Sequence, residues 1–409
     1  MIYTLSISEL GHDSSITLLQ DDEIVFFITS ERVSRIKHDR ILFNEALSNI
    51  SKITNNIDLM LTNYNSESIK KTRKLKEFLS LKGCTVKRVI ELSRENNTDR
   101  DPFNKQDPEK YTHHDYHALS AFYMSPFDEA VCLIIDGVGN TQNLISSDGR
   151  GMTLSETTSI IEISNSYDLK VLYKKFFSFP IRRQNLLFFP CTYGGVPSES
   201  LRNIFKLSNL NCTVEISNHF DIGQIYDAVS NVLSFGISHG AGKTMGLSAY
   251  GNLNNNMPKV LIPNTTIIDN NLFKLNREID TIVYPKFNET LSDQDRADFA
   301  YNVQDALQKI FLSRAEFIKN NSKSRNLVIC GGCALNILGV SLIKEKYPEF
   351  NIFVDPIATD ATQSIGVAIH AYNHLFPNVV KKKNNKFSTI YLGERYSLEE
   401  MREKIDSRF

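Results

Sequence analysis

The segment Ala130-Val-Cys-Leu-Ile-Ile-Asp136-Gly-Val-Gly139 joins a strongly apolar stretch to a glycine turn. The apolar run predicts a buried strand, because it is the right length for a sheet and is followed at once by turn residues. A carboxylate such as Asp136 at the carboxyl end of a strand points into a cleft, and the amides around Gly137 and Gly139 can approach phosphate oxygens. We therefore predict an α/β protein with a ligand cleft at this strand end.

Residues 110–125, just upstream, are predicted to form a helix that carries His113 and His117. The spacing of four places both imidazoles on one helix face, about one turn apart, which suits two ligands of one metal ion. Two imidazoles with the carboxylate of Asp136 favour a borderline divalent metal such as Fe(II), Mn(II) or Zn(II) over Mg²⁺ or Ca²⁺. The alternative is a pair of helix histidines that are satisfied without a metal.

Hairpin and helix signals occur twice along the chain and predict two α/β lobes around a cleft. We place the first lobe at about 1–217 and the second at about 218–376, followed by a charged polar linker at 377–388. Residues 177–217 are irregular, aromatic and proline-bearing, and no element is predicted there. The predicted strands are 3–8, 16–19, 23–29, 130–135, 327–330 and 352–354, a hairpin-rich stretch covers 141–176, and the predicted helices are 43–50, 66–79, 110–125, 222–234, 292–319, 334–346, 362–375 and 397–405.

The composition is that of an ordinary globular protein, with 41% hydrophobic and 23% charged residues in 409. Lys+Arg (46) and Asp+Glu (47) nearly cancel, so no net positive charge is present to hold nucleic acid. The amino terminus has no basic n-region, and the apolar runs are too short to span a bilayer. We expect a reduced, cytoplasmic protein without a membrane partner, in which the six cysteines do not form a disulfide framework.

A second polar cluster is Gly11-His-Asp-Ser-Ser15, which forms the turn after the first strand. Gly11 allows close approach of the backbone, and His12 is the predicted general base because it lies in a turn and not on an apolar face. The alternative for His12 is a turn histidine with only local hydrogen bonds.

Two further glycine motifs are candidates for phosphate contact. The string that runs from Gly240 to Gly251 contains Lys243 and Gly246, although it lacks the spacing of a P-loop. The pair Gly331-Gly332 opens the predicted helix at 334–346, where backbone amides suit a nucleotide phosphate. The surrounding Cys330-Gly-Gly-Cys333 matches CxxC, but a lone pair of this kind is interpreted as small buried residues beside a turn.

In this order, the motifs resemble the carbamoyltransferase family of nodulation-factor and antibiotic biosynthesis. The resemblance covers nearly the whole chain apart from 141–217. It rests on six motifs, which are Gly11-His-Asp-Ser-Ser15, Glu31-Arg-Val-Ser-Arg-Ile-Lys-His-Asp39, His113-His-x-x-His117-Ala with Ser125-Pro-Phe-Asp-Glu-Ala130, Asp136-Gly-Val-Gly139, Gly242-Lys-Thr-Met-Gly-Leu-Ser-Ala-Tyr-Gly251 and Gly331-Gly-Cys-Ala-Leu-Asn336.

The resemblance implies two ribonuclease H-like lobes, as in the sugar kinase, Hsp70 and actin group, with nucleotide held between them, and a fold like that of the tRNA-modifying threonylcarbamoyl transferase. It implies an O-carbamoyltransferase, in which carbamoyl phosphate and ATP form carbamoyladenylate and the carbamoyl group then passes to a hydroxyl of a sugar or secondary metabolite. The implied ligands of an iron ion are His113, His117, Asp136 and Asp360. His12 would be the base or orienter, and Lys37 would stabilise charge on carbamoyl or phosphate oxygens. The predicted nucleotide-contacting residues are Gly11, Ser14, Gly137, Gly139, Lys243, Gly246, Gly331, Gly332 and Asn336.

The chain departs from the family pattern at three positions. Asn140 stands where the family has Glu, Val340 stands where it has a second Asn, and Asp360 is followed by Ala-Thr where it has Ser-Gly. These changes affect the expected nucleotide geometry but remove no proposed metal ligand. Family members also carry a YrdC-like domain that makes the adenylate, and residues 389–409 resemble only its beginning. Three arrangements would account for this. A separate YrdC-like chain supplies the rest, the chain is half of a split or truncated enzyme, or the protein accepts a preformed adenylate.

Two alternative functions remain open at this stage. One is the tRNA threonylcarbamoyl transferase itself, although the Gly11-His-Asp-Ser-Ser15 and Lys243-Thr-Met-Gly-Leu247 strings favour the carbamoyltransferase. The other is a non-catalytic nucleotide-binding subunit, which the shortened YrdC-like part and the changes at Asn140 and Val340 keep open.

Overall fold

The structure is a computed structural model, and in the part of the chain that it describes the secondary structure is organised around two β-sheets. The described residues are 1–9, 13–39, 44–64, 68–93, 111–145, 151–180, 212–217, 221–237, 239–254, 265–269, 272–274, 291–376 and 397–406.

The first sheet comes from the amino-terminal residues and has the strand order β3-β2-β1-β4-β5. Its first three strands form antiparallel pairs, whereas β4 and β5 extend the sheet in parallel, which requires the crossover helices α2 and α3. The elements are β1 (Tyr3–Glu9), β2 (Ser15–Gln20), β3 (Glu23–Thr29), α1 (Ser30–Ser34), α2 (Asn44–Ile53), β4 (Asn56–Tyr64), α3 (Ser68–Leu81) and β5 (Thr85–Ser93).

The second sheet is formed by described strands between Glu129 and Val354, with the strand order β12-β11-β10-β9-β8-β6-β13-β14 and with β7 paired to β8. Its strands are β6 (Glu129–Ile135), β7 (Thr141–Ile145), β8 (Gly151–Ser164), β9 (Leu169–Pro180), β10 (Thr213–Ser217), β11 (Thr265–Asp269), β12 (Leu272–Lys274), β13 (Asn326–Cys330) and β14 (Asn351–Val354). Its helices are α4 (His113–Met124), α5 (Ile222–Val232), α6 (Ala241–Ser248), α7 (Asp293–Asn321), α8 (Ile337–Lys346) and α9 (Gln363–Leu375), and α10 (Leu398–Asp406) follows at the end.

Helices α4 and α9 form a layer between the two sheets. Helix α9 packs on β1 and β2, α4 packs on β6, β8 and β13, and the two helices pack against each other. Gly366 permits this close crossing, because a Cβ added there would lie 2.1 Å from the carbonyl oxygen of Tyr116. The hydroxyl of Ser364 on α9 lies within hydrogen-bonding distance of Ser15 and Thr17 on β2. One apolar core therefore joins both sheets through this helix layer.

The outer faces of both sheets are also covered. Helix α2 packs on the first sheet beside Leu5 and Ile7, while α5, α7 and α8 cover the other face of the second sheet. The 29-residue α7 begins with a capping box between Ser292 and Asp295, and Ser292 accepts a hydrogen bond from the amide of Asp295.

Most predicted elements are present within the described residues, with ends that differ by a few residues. The predictions missed the helices α1 and α6 and the strands β4, β5, β11 and β12, and they placed no strand in 177–217, where β9 ends and β10 lies. The predicted linker at 377–388 and residues 389–396 lie outside the described residues, and the predicted helix near the end of the chain corresponds to α10. The predicted lobe boundary at 217 falls at the end of a strand of the second sheet, whereas the two sheets divide between Ser93 and Glu129. The lobe boundary stays a prediction.

Candidate metal centre and ligand cleft

Three separate segments bring His113, His117, Asp136 and Asp360 together. The histidines lie in the first two turns of α4, whose N-cap residue Thr112 donates its backbone N–H to Asp115 at 2.6 Å. Asp136 follows β6, and Asp360 begins a short 3₁₀ turn that leads into α9. Each of the four side chains therefore lies in or directly after a regular element, and the group lies where the helix layer meets the second sheet.

The four side chains form a compact group, and their ligand atoms all lie within 4.8 Å of one another. The Nε2 atoms of His113 and His117 are 3.1 Å apart. His113 Nε2 lies 3.2 Å from Asp136 and 3.1 Å from Asp360, and His117 Nε2 lies 3.9 and 3.3 Å from the same carboxylates. An ion that binds each ligand at about 2.1 Å separates neighbouring ligand atoms by about 3.0 to 3.4 Å. The geometry and the nitrogen and oxygen donors fit a divalent metal.

The group is buried, and its charges depend on one another. Burial alone would lower the pKa of His113, but the carboxylates of Asp360 and Asp136 outweigh this effect and raise that pKa to about 9. Burial would raise the pKa of each carboxyl, yet the imidazoles of His113 and His117 hold the pKa of Asp136 and of Asp360 well below the ordinary range. Two carboxylates therefore favour a positive charge at the centre, which is the charge that a metal ion brings.

The segments that carry the carboxylates also hold the backbone of His113. Asn140, four residues after Asp136, accepts the N–H of His113 at 2.8 Å through its side-chain oxygen. Gln363, three residues after Asp360, donates its side-chain amide to the carbonyl of His113 at 3.2 Å. These contacts fix the position of α4 relative to both carboxylates, as outer hydrogen bonds do in metal sites.

The predicted glycine turns lie beside the centre. The amide of Gly332 donates to Asp136 Oδ1 at 3.1 Å. Gly331 adopts a φ of 82°, a left-handed conformation that favours glycine, and a Cβ there would lie 2.6 Å from the carbonyl oxygen of Ile135. Gly137 faces open space, whereas Gly139 abuts the ring of His114, so Gly139 serves close packing. Gly137, Gly331 and Gly332 thus lie beside Asp136, and of these three Gly332 is exposed and Gly331 is buried.

The two predicted catalytic segments lie against each other. Gly11 and His12 fall outside the described residues, but Asp13, the next residue, lies 2.7 Å from Nδ1 of His38, which follows Lys37. The amide of Ser14 donates to the carbonyl of Asp39 at 3.1 Å. Lys37 is exposed in the same turn, and the ring of His38 stacks on that of His239 with 4.9 Å between centroids.

The predicted phosphate-contacting string forms helix α6, in which Lys243 and Gly246 are exposed. Lys243 lies over the ring of Phe235 at 6.0 Å, and within the described residues it forms no hydrogen bond or ion pair with the metal centre. Asn336 is buried as the N-cap of α8, where its oxygen accepts the amide of Gly339 at 2.9 Å and its side chain also pairs with Gln304. Its side chain is therefore used for packing the second sheet's helices.

The sequence did not lead us to predict two buried ion pairs that lie beside the centre. Lys174 on β9 is fully buried, and its ammonium donates to Glu156 at 2.5 Å. The neighbouring Lys175 is also buried and donates to Asp221 at 2.8 Å. The available signal was two adjacent lysines inside the apolar run from Val171 to Phe177, which is unusual for a strand in the middle of a sheet.

Within the described residues, the only group of three or more possible metal ligands that converges is the one formed by His113, His117, Asp136 and Asp360. Cys330 is buried at the end of β13 and Cys333 is partly buried, in keeping with the interpretation of CxxC as small residues at a turn. No helix in the described part of the chain is both long enough and apolar enough to cross a membrane.

Comparison with known sequences gives a family match and uncharacterised relatives. A family model described as carbamoyltransferase N-terminus matches residues 4–369. An uncharacterized protein of Synechocystis sp. is 25% identical over 98% of this chain, and one of Methanocaldococcus jannaschii is 23% identical over 99%. The chain spans 62% and 68% of the length of these two relatives.

Among solved structures, the crystal structure of HypF from T. kodakarensis aligns with a TM-score of 0.51 at 15% identity, over 93% of this chain and 49% of that chain. Because the identity is low, this likeness concerns the fold. The predicted fold class, a mixed α/β protein with two sheets, is confirmed, and this fold is similar to that of HypF. The predicted resemblance is confirmed by the family match.

Proposed function

Because the chain belongs to the carbamoyltransferase N-terminus family, we propose that it transfers a carbamoyl group from carbamoyladenylate to a hydroxyl of a sugar or secondary metabolite. The observation that carries the proposal is the convergence of His113, His117, Asp136 and Asp360 beside the Gly331-Gly332 turn. The chain spans only part of the length of its relatives. The proposal therefore covers the transfer step alone.

The four residues are proposed to hold a divalent metal, with Fe(II) first and Mn(II) or Zn(II) as alternatives. Their donor set of two imidazoles and two carboxylates suits these ions. When bound, such an ion would neutralise charge on the phosphate of the leaving group. Of the predicted nucleotide contacts, Gly137, Gly331 and Gly332 lie beside the four residues. Gly139 and the side chain of Asn336 are used for packing, and Gly11, Ser14, Lys243 and Gly246 stay predictions.

The transfer step needs a base and a group that stabilises negative charge. The acceptor oxygen forms a bond to the carbamoyl carbon, the bond from that carbon to the phosphate oxygen breaks, and AMP leaves. We assign the removal of the hydroxyl proton to His12 and the stabilisation of the carbamoyl or phosphate oxygens to Lys37. The contact between Asp13 and His38 supports this assignment, because it holds the two segments side by side.

The proposal is tested by supplying the purified chain first with synthetic carbamoyladenylate and then with ATP plus carbamoyl phosphate. AMP release and carbamoylation of a panel of hydroxylated sugars are followed with and without Fe(II). Turnover of the adenylate alone would indicate that this chain performs the transfer step and does not make the adenylate. Turnover from ATP plus carbamoyl phosphate would instead place both steps in this chain.

Two outcomes would favour the other functions. A chain that binds metal and nucleotide but releases no AMP from either donor would indicate a non-catalytic subunit. Tight tRNA binding with AMP release only in the presence of tRNA would indicate a threonylcarbamoyl transferase. The metal site itself is tested with the double variant His113→Ala/His117→Ala. His114→Ala is its control, because His114 lies on the same helix but its Nδ1 lies 2.7 Å from the hydroxyl of Ser159.

A further inference from the structure

Lys174 is a buried lysine that contacts the start of α4, the helix carrying both histidine ligands. Its ammonium donates to Glu156 Oε1 at 2.5 Å and lies 3.4 Å from the hydroxyl of Thr112, the N-cap residue of α4. Removing a lysine and a glutamate from water is costly, and apolar side chains of similar volume often replace buried ion pairs without loss of stability. Stability alone therefore gives no reason for an ion pair at this point.

A continuous chain of hydrogen bonds leads from this ion pair to the metal centre. The amide of Glu156 donates to the carbonyl of Asn140 at 3.0 Å, and the amide of Asn140 donates to Glu156 Oε2 at 3.4 Å. The side-chain oxygen of Asn140 then accepts the N–H of His113 at 2.8 Å. His113 is the first residue of α4, so its N–H has no partner inside the helix. Asn140 supplies that partner.

We propose that Lys174, Glu156 and Asn140 are positioning residues that hold the first turn of α4, and with it the imidazole of His113, in register with Asp136 and Asp360. We call these three residues the positioning chain. The inference rests on the proposed metal centre and explains the amide at position 140. Asn140 gives the N–H of His113 a side-chain acceptor at 2.8 Å.

The first test removes the ion pair without leaving an unpaired charge. Lys174→Met/Glu156→Leu is compared with the wild type for affinity toward Fe(II), Mn(II) and Zn(II), measured by competition with a chromophoric chelator. Loss of outer-shell support typically weakens metal binding by about 10- to 100-fold, and we expect a loss in this range. The absorption spectrum of the Co(II)-substituted protein should also change, because the orientation of a ligand imidazole is no longer fixed.

The matched control is Arg314→Met/Glu215→Leu. This pair is likewise buried, with N–O distances of 3.0 and 3.4 Å, and links β10 to α7 on the other face of the second sheet. We expect it to change stability while metal affinity and the Co(II) spectrum stay as in the wild type. Equal loss of affinity in both double variants would overturn the proposal, because it would mean that any loosening of the sheet weakens the site.

A second test does not depend on survival of the ion-pair variant. Asn140→Ala removes the acceptor for His113 N–H, whereas Asn140→Asp keeps it. We expect faster amide hydrogen exchange in residues 111–117 and weaker metal binding in Asn140→Ala, and restored exchange protection in Asn140→Asp. Unchanged exchange and affinity in Asn140→Ala would overturn the proposal.

Metal binding by the wild-type chain separates the proposed metal centre from the positioning chain. A wild-type chain that binds none of the three metals would overturn the metal centre and the positioning chain together. Normal wild-type binding that is unchanged in Lys174→Met/Glu156→Leu would overturn the positioning chain alone.

Discussion

The candidate metal centre and the ion pairs of β9 lie next to each other, but their buried carboxylates are neutralised in different ways. In the ion pairs, Glu156 faces the ammonium of Lys174 and Asp221 faces that of Lys175, so each buried carboxylate has a permanent cation of its own. In the metal centre, two carboxylates face two imidazoles, which are cations only when protonated. The charges of the ion pairs are balanced without a ligand. The two carboxylates of the centre are balanced only when a proton or a metal ion is bound.

This difference is reflected in the pKa values. Burial would raise the pKa of Glu156 and lower that of Lys174, but the partner charge outweighs burial in both, so the pKa of Glu156 is lowered and that of Lys174 is raised. At the centre, a pKa of about 9 for His113 means that the metal-free site carries a proton at neutral pH. A metal ion has to displace that proton, so its binding should release protons into solution.

The largest effect is expected when the nitrogen ligands of the centre are removed. Loss of outer-shell support lowers metal affinity by up to about 100-fold. His113→Ala/His117→Ala should lower it further, because two direct ligands are lost. Metal content after dialysis against a trace-metal buffer measures this loss, with His114→Ala as the control. Full metal content in the double variant would show that the metal lies elsewhere.

A second variant removes one partner of an ion pair on β9. Lys175→Met leaves the carboxylate of Asp221 buried without its ammonium, and such changes cost about 3 to 5 kcal/mol of unfolding free energy. The exposed pair of Lys309 and Asp305 offers a control, since Lys309→Met should cost no more than about 0.5 kcal/mol. Urea unfolding compares the two variants, and similar costs would mean that burial of the β9 pair has no energetic consequence.

A metal ion should stabilise the protein by completing the centre. At a free metal concentration of about 100 times the dissociation constant, the free energy of unfolding should rise by about 2.7 kcal/mol. Thermal or urea unfolding with and without metal measures the gain, and a chelator should reverse it. The same gain in His113→Ala/His117→Ala would assign the stabilisation to a different site.

Three of the four residues of the candidate metal centre could be predicted from local sequence patterns. Helical spacing predicts that His113 and His117 share a face, and the position of Asp136 after an apolar strand predicts a carboxylate at a cleft. Asp360 lies 224 residues further along, so only the family resemblance suggested it and only tertiary packing brings it to the histidines. The Lys174 and Lys175 pairs were missed for the same reason, because their partners lie on other elements.

The missed elements have similar physical causes. Helix α6 contains Gly242 and Gly246, each of which disfavours a helix by about 1 kcal/mol relative to alanine. Packing against α5 and α7 provides the missing stability, and no local pattern reports it. The strand β4 carries Asn56 and Asp58 near its start, which weakens a strand signal, yet Asp58 accepts the amide of Tyr3 on the neighbouring strand at 2.9 Å.

The smallest expected effect concerns the acid sensitivity of the ion pair of Lys174 and Glu156. The folded pKa of Glu156 lies below its ordinary 4.5, so its contribution to stability is complete above pH 4.5 and is lost as the pH falls toward the folded value. Lys174 has a raised pKa and stays charged throughout this range. Urea unfolding between about pH 5 and pH 3 should therefore show a steeper loss of stability in the wild type than in Lys174→Met/Glu156→Leu. Because this pair contributes only one of many carboxyls, the difference in slope should be small. Identical slopes would show that the pKa of Glu156 is the same in the folded and the unfolded chain. The buried pair on β9 would then behave like an exposed ion pair.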